Sequence, residues 1–429
     1  MSRTVRFFLA LIGLLLILGV TGFLFYSWGT RRASSPVTTT EITTEQWPIF
    51  HGNPQRTGFV SSAFADNPKP LWVFTKRDVR QLNATENTVS AVIINNDWVF
   101  FSLDRVVALE LQSGKFIWEY KDQDTPFYPG GLAAGDGKIF AVVNDSTLMN
   151  QMQRGALYAL NAKDGSFLWK YNFSTPITHS APLYAEQKLF LSDDSATVYA
   201  FDPESGQIIW QKKLSAETIH SSPAFYDNKV LIGTEGSARN QSMPSALFAL
   251  DGANGAEQWK FEIDYRPNAI NLVHSTPAIS ENVVYFGSEN GYFYALNAQT
   301  GTQLWRADTL VAGQDGMGES SSPALGYDKI FISTWQKYIT LDQKTGAMVW
   351  EKEYAGQGSN SSGVVIDKKI CWGSGETEFV CMRTDNGETL WSKPYGDPSA
   401  AATNGILVVP NHAVAAESSD EEVVLAAFK

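Results

Sequence analysis

A glycine followed four residues later by a tryptophan recurs seven times in this chain of 429 residues. The pairs are Gly114 and Trp118, Gly165 and Trp169, Gly206 and Trp210, Gly255 and Trp259, Gly301 and Trp305, Gly346 and Trp350, and Gly387 and Trp391. The tryptophans are spaced 51, 41, 49, 46, 45 and 41 residues apart. A period in that range builds an array of supersecondary units, each covering the faces of its neighbours.

The text inside each repeat predicts two hairpins. An alternating apolar run ends at a small residue such as Ala159, Ala200 or Ala249. Two residues on comes Asn161, Asp202 or Asp251, and four further the glycine. That is turn chemistry: the side chain caps nearby N–H groups and glycine takes a positive φ. A short strand carrying the tryptophan follows. Upstream lies a second hairpin, as in "HSSPAFYDNKVLIG". Four antiparallel strands (a to d) per 40–50 residues predict an all-β, eight-bladed β-propeller. The eight tryptophans, Trp72, Trp118, Trp169, Trp210, Trp259, Trp305, Trp350 and Trp391, are expected to wedge blade against blade.

The blade count follows from the ends. After Trp391 the text supplies three strands and stops before its glycine turn. "PKPLWVF", around Trp72, reads as a lone strand d. The N-terminal strand is therefore expected to complete the C-terminal blade, which leaves no open sheet edge. The propeller is assigned to residues 68–429.

Residues 7–26 carry no charge. Twenty residues at about 1.5 Å each span roughly one hydrocarbon core. Residues 1–32 are read as an uncleaved N-terminal membrane anchor, with a cleaved export signal as the alternative. Either places the propeller outside the cytoplasm, periplasmic or extracellular. A Thr/Ser-rich linker (33–45) follows, then an aromatic lead-in (46–67) expected to pack on the ring. A net charge of −12 argues against nucleic acid as the main partner. The two cysteines, Cys371 and Cys381, flank a predicted b–c hairpin. They are either a cross-strand disulfide or two small core residues.

The repeats resemble the pyrroloquinoline-quinone (PQQ)-type propeller repeat. The matching text is Ala-x-(Asp/Asn)-x-x-x-Gly-x-x-x-Trp, as at Ala249, Asp251, Gly255 and Trp259, with an upstream Ser-x-Pro. The lead-in is also similar to segments that precede such rings. The resemblance implies one of two functions: a quinoprotein dehydrogenase with PQQ and Ca²⁺ in the central funnel, or a cofactor-free, protein-binding propeller of the BamB type. The quinoprotein pattern includes a vicinal cysteine pair, which this chain lacks. It also lacks the lipoprotein cysteine of the BamB type.

No catalytic signature is present, and no catalytic or cofactor-binding residue is assigned. Three of the five histidines occupy one repeat position, at the predicted start of strand a: His179, His220 and His274. Ser320 and Asn360 hold that place in the next repeats. Three imidazoles at one channel mouth form a candidate metal site. The alternative is a repeat residue that bonds a neighbouring blade, and no carboxylate partner is evident. Long b–c and d–a loops should gather on one face and carry Met149, Met152, Arg154, Arg239, Met243, Tyr265 and Arg266. These types suit a partner interface, against the alternative of ordinary solvated loop. The expectation is a monomeric, non-enzymatic scaffold that binds a protein or envelope polymer; the resemblance implies a BamB-like role in outer-membrane protein assembly. The alternative is a PQQ- or metal-dependent oxidoreductase working at the channel mouth.

Overall fold

The computed structural model describes residues 46–82, 89, 91–123, 128–144, 154–237, 242–310, 321–334, 337–353, 361–374, 378–395, 399–411 and 421–429. The segments read as membrane anchor and linker lie outside them. Among the described residues no helix is long and apolar enough to cross a membrane.

Eight antiparallel sheets of four strands each follow one another along the chain. In blade 4, for example, strands a to d are Ala224–Tyr226, Lys229–Thr234, Ala246–Asp251 and Glu257–Glu262. The eighth sheet is shared by the two ends of the propeller. Pro70–Thr75 pairs with Val423–Phe428, which continues to Ile406–Pro410 and Ala401–Thr403. The seam predicted from the sequence is therefore present. One short helix, Lys76–Gln81, was not anticipated and follows directly on the N-terminal strand.

The glycine of each c–d turn is required twice over. Gly165 has a φ of 72°, and a Cβ there would stand 2.6 Å from the Trp118 ring of the preceding blade. The same contact recurs at Gly114, Gly206, Gly255, Gly301, Gly346 and Gly387. The indole N–H then bonds a carbonyl of the turn it covers: Trp72 to Leu111, Trp118 to Ala162, Trp169 to Pro203, Trp210 to Gly252, Trp259 to Ala298 and Trp350 to Thr384. Trp391 faces the seam, where no such turn exists. It meets Phe428 edge-on at 4.8 Å, and its Nε1 has no partner among the described residues.

The Ser-x-Pro text explains how the inner strands hold together. The first hydroxyl serves its own blade: Ser221 accepts from Gly233, Ser275 from Gly287, Ser321 from Ser333 and Ser361 from Gly373. The second reaches back to the previous blade. Ala181 N–H donates to Ser222, Ser222 to Thr276, Thr276 to Ser322, and Ser322 to Ser362. The result is a girdle of buried, satisfied hydroxyls around the channel.

The lead-in does more than pack on the outside. It runs round the inner strands and touches every blade. Trp47 bridges to Ile94 of blade 1 and Ile49 to Ala133 of blade 2. Carbonyls of Pro54, Gln55, Thr57 and Gly58 accept from Phe225, Ile279, Leu325 and Val365, on blades 4 to 7. Phe59–Val60 adds a parallel fifth strand to blade 7, and Ser62 accepts from Gly405 of blade 8. Blade 3 is reached by the Arg56 side chain, whose Nη2 donates to Ala181 and Pro182. Its Nε and Nη1 donate to Pro223 and Phe50. The fully buried guanidinium is held by four carbonyls. Burial lowers its pKa to about 9, so it is still a cation at neutral pH. His51 beside it is pushed down to about 3 by burial and is neutral.

Cys371 and Cys381 stand opposite one another on strands b and c of blade 7 and are joined as a disulfide.

Candidate functional site at the channel mouth

His179, His220 and His274 do not start strand a, as the sequence suggested. Each lies four residues earlier, in the d–a loop, because the Ser-x-Pro girdle intervenes before Leu183, Ala224 and Ala278 begin their strands. That places the imidazoles above the girdle, at the rim of the channel. The rings are neighbours: His179 to His220 is 4.8 Å between centroids, and His220 to His274 is 5.5 Å.

Carboxylates that sequence reasoning missed sit among them. Glu235 follows strand b of blade 4, and Glu289 follows strand b of blade 5. Glu235 Oε1 is 2.6 Å from His220 Nδ1 and 2.7 Å from His274 Nε2. The other nitrogen of His274, Nδ1, contacts Glu289. Asp194 occupies the corresponding place in blade 3, where Thr178 donates to it through N–H and hydroxyl. A signal for these acids exists in the sequence. Asp194, Glu235 and Glu289 each lie fifteen residues after their blade's histidine, a second repeat column behind the first.

The electrostatics follow from this interleaving. Burial alone would lower His274, but carboxylates on both its nitrogens outweigh that and push it up to about 10. Burial would likewise raise Glu235, but its contacts with His220 and His274 bring it down to about 2. His179 has no carboxylate on its ring. Burial, with repulsion from His220 and His274, lowers its pKa, although solvent at its exposed side chain screens the effect. Burial raises Asp194 despite the Thr178 bonds. The mouth thus holds an imidazolium clasped by two carboxylates beside a neutral imidazole.

The b–c and d–a loops do share this face. The Thr218 loop bridges to Glu235, and Ser245 donates to the Asn271 carbonyl. The candidate interface residues fare unequally. Met149, Met152 and Arg239 lie outside the described residues. Arg154 and Tyr265 are exposed and Met243 is half-buried. Arg266 is committed to its own surroundings: it pairs with Asp308 at 2.6 Å and stacks on Tyr292 at 3.9 Å. Arg306 covers Tyr292 as well, at 4.1 Å. Arg266 is thus held by strands c and d of blade 5. Ile270, beside Tyr265, is an exposed apolar residue that the sequence reading passed over.

Fold and repeat chemistry define the class: an eight-bladed propeller of PQQ-like repeats. The chain belongs to the family described as outer membrane protein assembly factor BamB, whose model matches residues 104–291 and 241–427. Among curated relatives, the BamB of Moranella endobia is 25% identical over 331 residues, covering 73% of this chain and 77% of that protein. The quinoprotein ethanol dehydrogenase of Pseudomonas aeruginosa is 28% identical over 153 residues, covering 30% of this chain and 24% of its own length. Among solved structures, the quinohemoprotein alcohol dehydrogenase ADHIIG of Pseudomonas putida HK5 superposes with a TM-score of 0.73 at 15% identity. That superposition covers 90% of this chain and 80% of that one, and it shows the fold alone.

The quinoprotein likeness implies PQQ and Ca²⁺. The described residues at the mouth do not fit them. Calcium takes six to eight oxygen ligands, whereas the groups that converge here are two imidazoles and one carboxylate oxygen. The cysteines are bonded across a hairpin rather than vicinal. The inner-strand N–H groups of blades 4 to 7 are already taken by the lead-in. A separate cavity of 350 Å³ lies between blades 1 and 2, lined by Asn95, Asp97 and Trp98 of an a–b turn and Lys163 of a c–d turn, away from the histidines.

Proposed function

We propose that this protein is a non-enzymatic scaffold that binds an envelope protein through its b–c and d–a loop face, in a role like that of BamB in outer-membrane protein assembly. Residues 7–26 tether it to the membrane, with the propeller on the extracytoplasmic side. One observation carries this reading. The chain's own lead-in bonds to the inner side of all eight blades, which leaves the loop face as the surface that varies from blade to blade. The family match along most of the propeller agrees with it. Insertions on one face of a repeat array are where such proteins place their binding function. Tyr265 and Ile270 supply exposed apolar contacts on that face.

Photo-crosslinking from Tyr265 and Ile270 positions in intact cells tests the proposal. Discrete adducts with envelope proteins are expected, and the same probe at Ile209 on the outer rim should give none. PQQ- and Ca²⁺-dependent oxidation of alcohols by the purified full-length protein, with no adducts from the loop face, would replace the scaffold by the oxidoreductase alternative.

A further inference from the structure

We propose that His220, His274 and Glu235 form a binding site for one divalent transition-metal ion of the zinc type, with Glu289 orienting His274. This goes beyond the scaffold reading and does not depend on it. One ligand atom from each of the three residues lies within 4.8 Å of the others. A tetrahedral site with bonds of about 2.1 Å has ligand atoms roughly 3.4 Å apart. The Glu235 contacts of 2.6 and 2.7 Å are shorter than that, and the longest separation is greater. Side-chain rotations that move each atom by about an ångström bring the three to that spacing.

The second observation is Glu235 itself. Its Oε1 is buried and accepts no hydrogen bond of proper geometry, although two imidazole nitrogens crowd it. Two nitrogens and one carboxylate oxygen converge here with no N–H in line with that oxygen, and an ion that displaces the proton of His274 would take all three lone pairs. Glu289 on Nδ1 of His274 leaves Nε2 to face Glu235, the carboxylate–histidine–metal relay that fixes a ligating tautomer. Two imidazoles and one carboxylate suit zinc, nickel, cobalt or copper rather than calcium or magnesium. The side chains of His220 and His274 remain 25% and 31% exposed, so a fourth coordination position opens to solvent at the mouth. An anionic group of a ligand or partner could fill it. The ion would also tie the loops of blade 4 to those of blade 5. His179, expected as the third ligand from its place in the repeat, packs edge-on against His220 and is not one of the three.

The test uses full-length protein stripped by chelator and titrated with Co²⁺, then with Zn²⁺. One equivalent of Co²⁺ should bind and give the intense visible bands of a four-coordinate ion, which Zn²⁺ should displace. H274A and E235Q should each weaken Zn²⁺ binding at least tenfold. E289Q, which keeps all three ligands, should weaken it about tenfold or more. H179A should stay within about threefold. Absence of the cobalt spectrum in folded wild-type protein at millimolar Co²⁺ would overturn the proposal, whatever the variants do. So would H179A losing as much affinity as H274A, or E289Q binding like wild type.

Discussion

The two levels of the channel solve the same problem in opposite ways. Within the inner strands, a guanidinium and an imidazole are buried with no carboxylate among their hydrogen-bond partners. Arg56 is satisfied by four backbone carbonyls, and His51 gives up its charge. At the mouth, imidazoles and carboxylates interleave, and His274 takes on charge instead. Position within the repeat does not explain the contrast, since every blade brings a backbone of the same shape to the axis. The difference lies in what meets that backbone. The lead-in brings Arg56 against carbonyls of Ala181, Pro182 and Pro223 in the blades and of its own Phe50, which are fixed in place and neutral. The loops supply side chains, which can rearrange and titrate. One level is built to be permanent and the other to respond.

Removing Arg56 should break the permanent level most severely. In Arg56→Ala the carbonyls of Phe50, Ala181, Pro182 and Pro223 lose their donors inside the protein. A buried polar group left without its partner costs about 1–3 kcal/mol, and with four carbonyls affected denaturant midpoints should report a loss of at least about 3 kcal/mol with an unchanged m-value. A loss under about 1 kcal/mol would mean that the lead-in is an ornament on the ring and not part of its closure.

His51 gives the next largest effect, and it depends on pH. Its folded pKa of about 3 lies below the unfolded 6.5. Between those values the unfolded chain binds the extra proton, so stability is full above about pH 6.5 and falls as the pH drops toward 3. The slope from this one group approaches about 1.4 kcal/mol per pH unit. His51 has a φ of 58°, so Asn is the replacement that tolerates its backbone. Melting His51→Asn and wild type between pH 7 and 4 should show a shallower acid slope in the variant. Parallel slopes would show that His51 is hydrated and the level less sealed than its contacts indicate.

Much of this was legible in advance. Gly-x-x-x-Trp disclosed the fold because a positive φ and an indole packed on the turn leave glycine no substitute. The shared eighth blade was legible because "PKPLWVF" has a tryptophan but no partner strands nearby. The histidine column was visible, but the acid column was not. Asp194, Glu235 and Glu289 sit in b–c turns of different length and composition, and only counting fifteen residues from each histidine aligns them. The ties of Arg266 were hidden for a related reason. Its type and loop suit an interface, while Asp308 and Tyr292, which hold it, lie on strands d and c of blade 5. The path of the lead-in could not be read at all, since most of its bonds are made by backbone and leave no trace in residue type.

The smallest effects should come from the mouth, and they sharpen the contrast through salt. Glu289→Gln removes one of the two carboxylates on His274, at a site open enough to be partly screened. A cost of about 1 kcal/mol or less is expected for the metal-free protein, shrinking as salt rises from 50 to 500 mM. The cost of Arg56→Ala should not change over that range, because its partners are buried dipoles beyond the reach of counterions. His179→Ala should fall below both. Its ring is exposed, touches His220 edge-on and has no carboxylate, so truncation should stay within about 0.5 kcal/mol at either salt concentration. Were His179→Ala to cost more than Glu289→Gln, the ring contact would be holding the d–a loops of blades 3 and 4 together. The mouth would then be a packed structure like the level beneath it, not a surface free to take up a ligand.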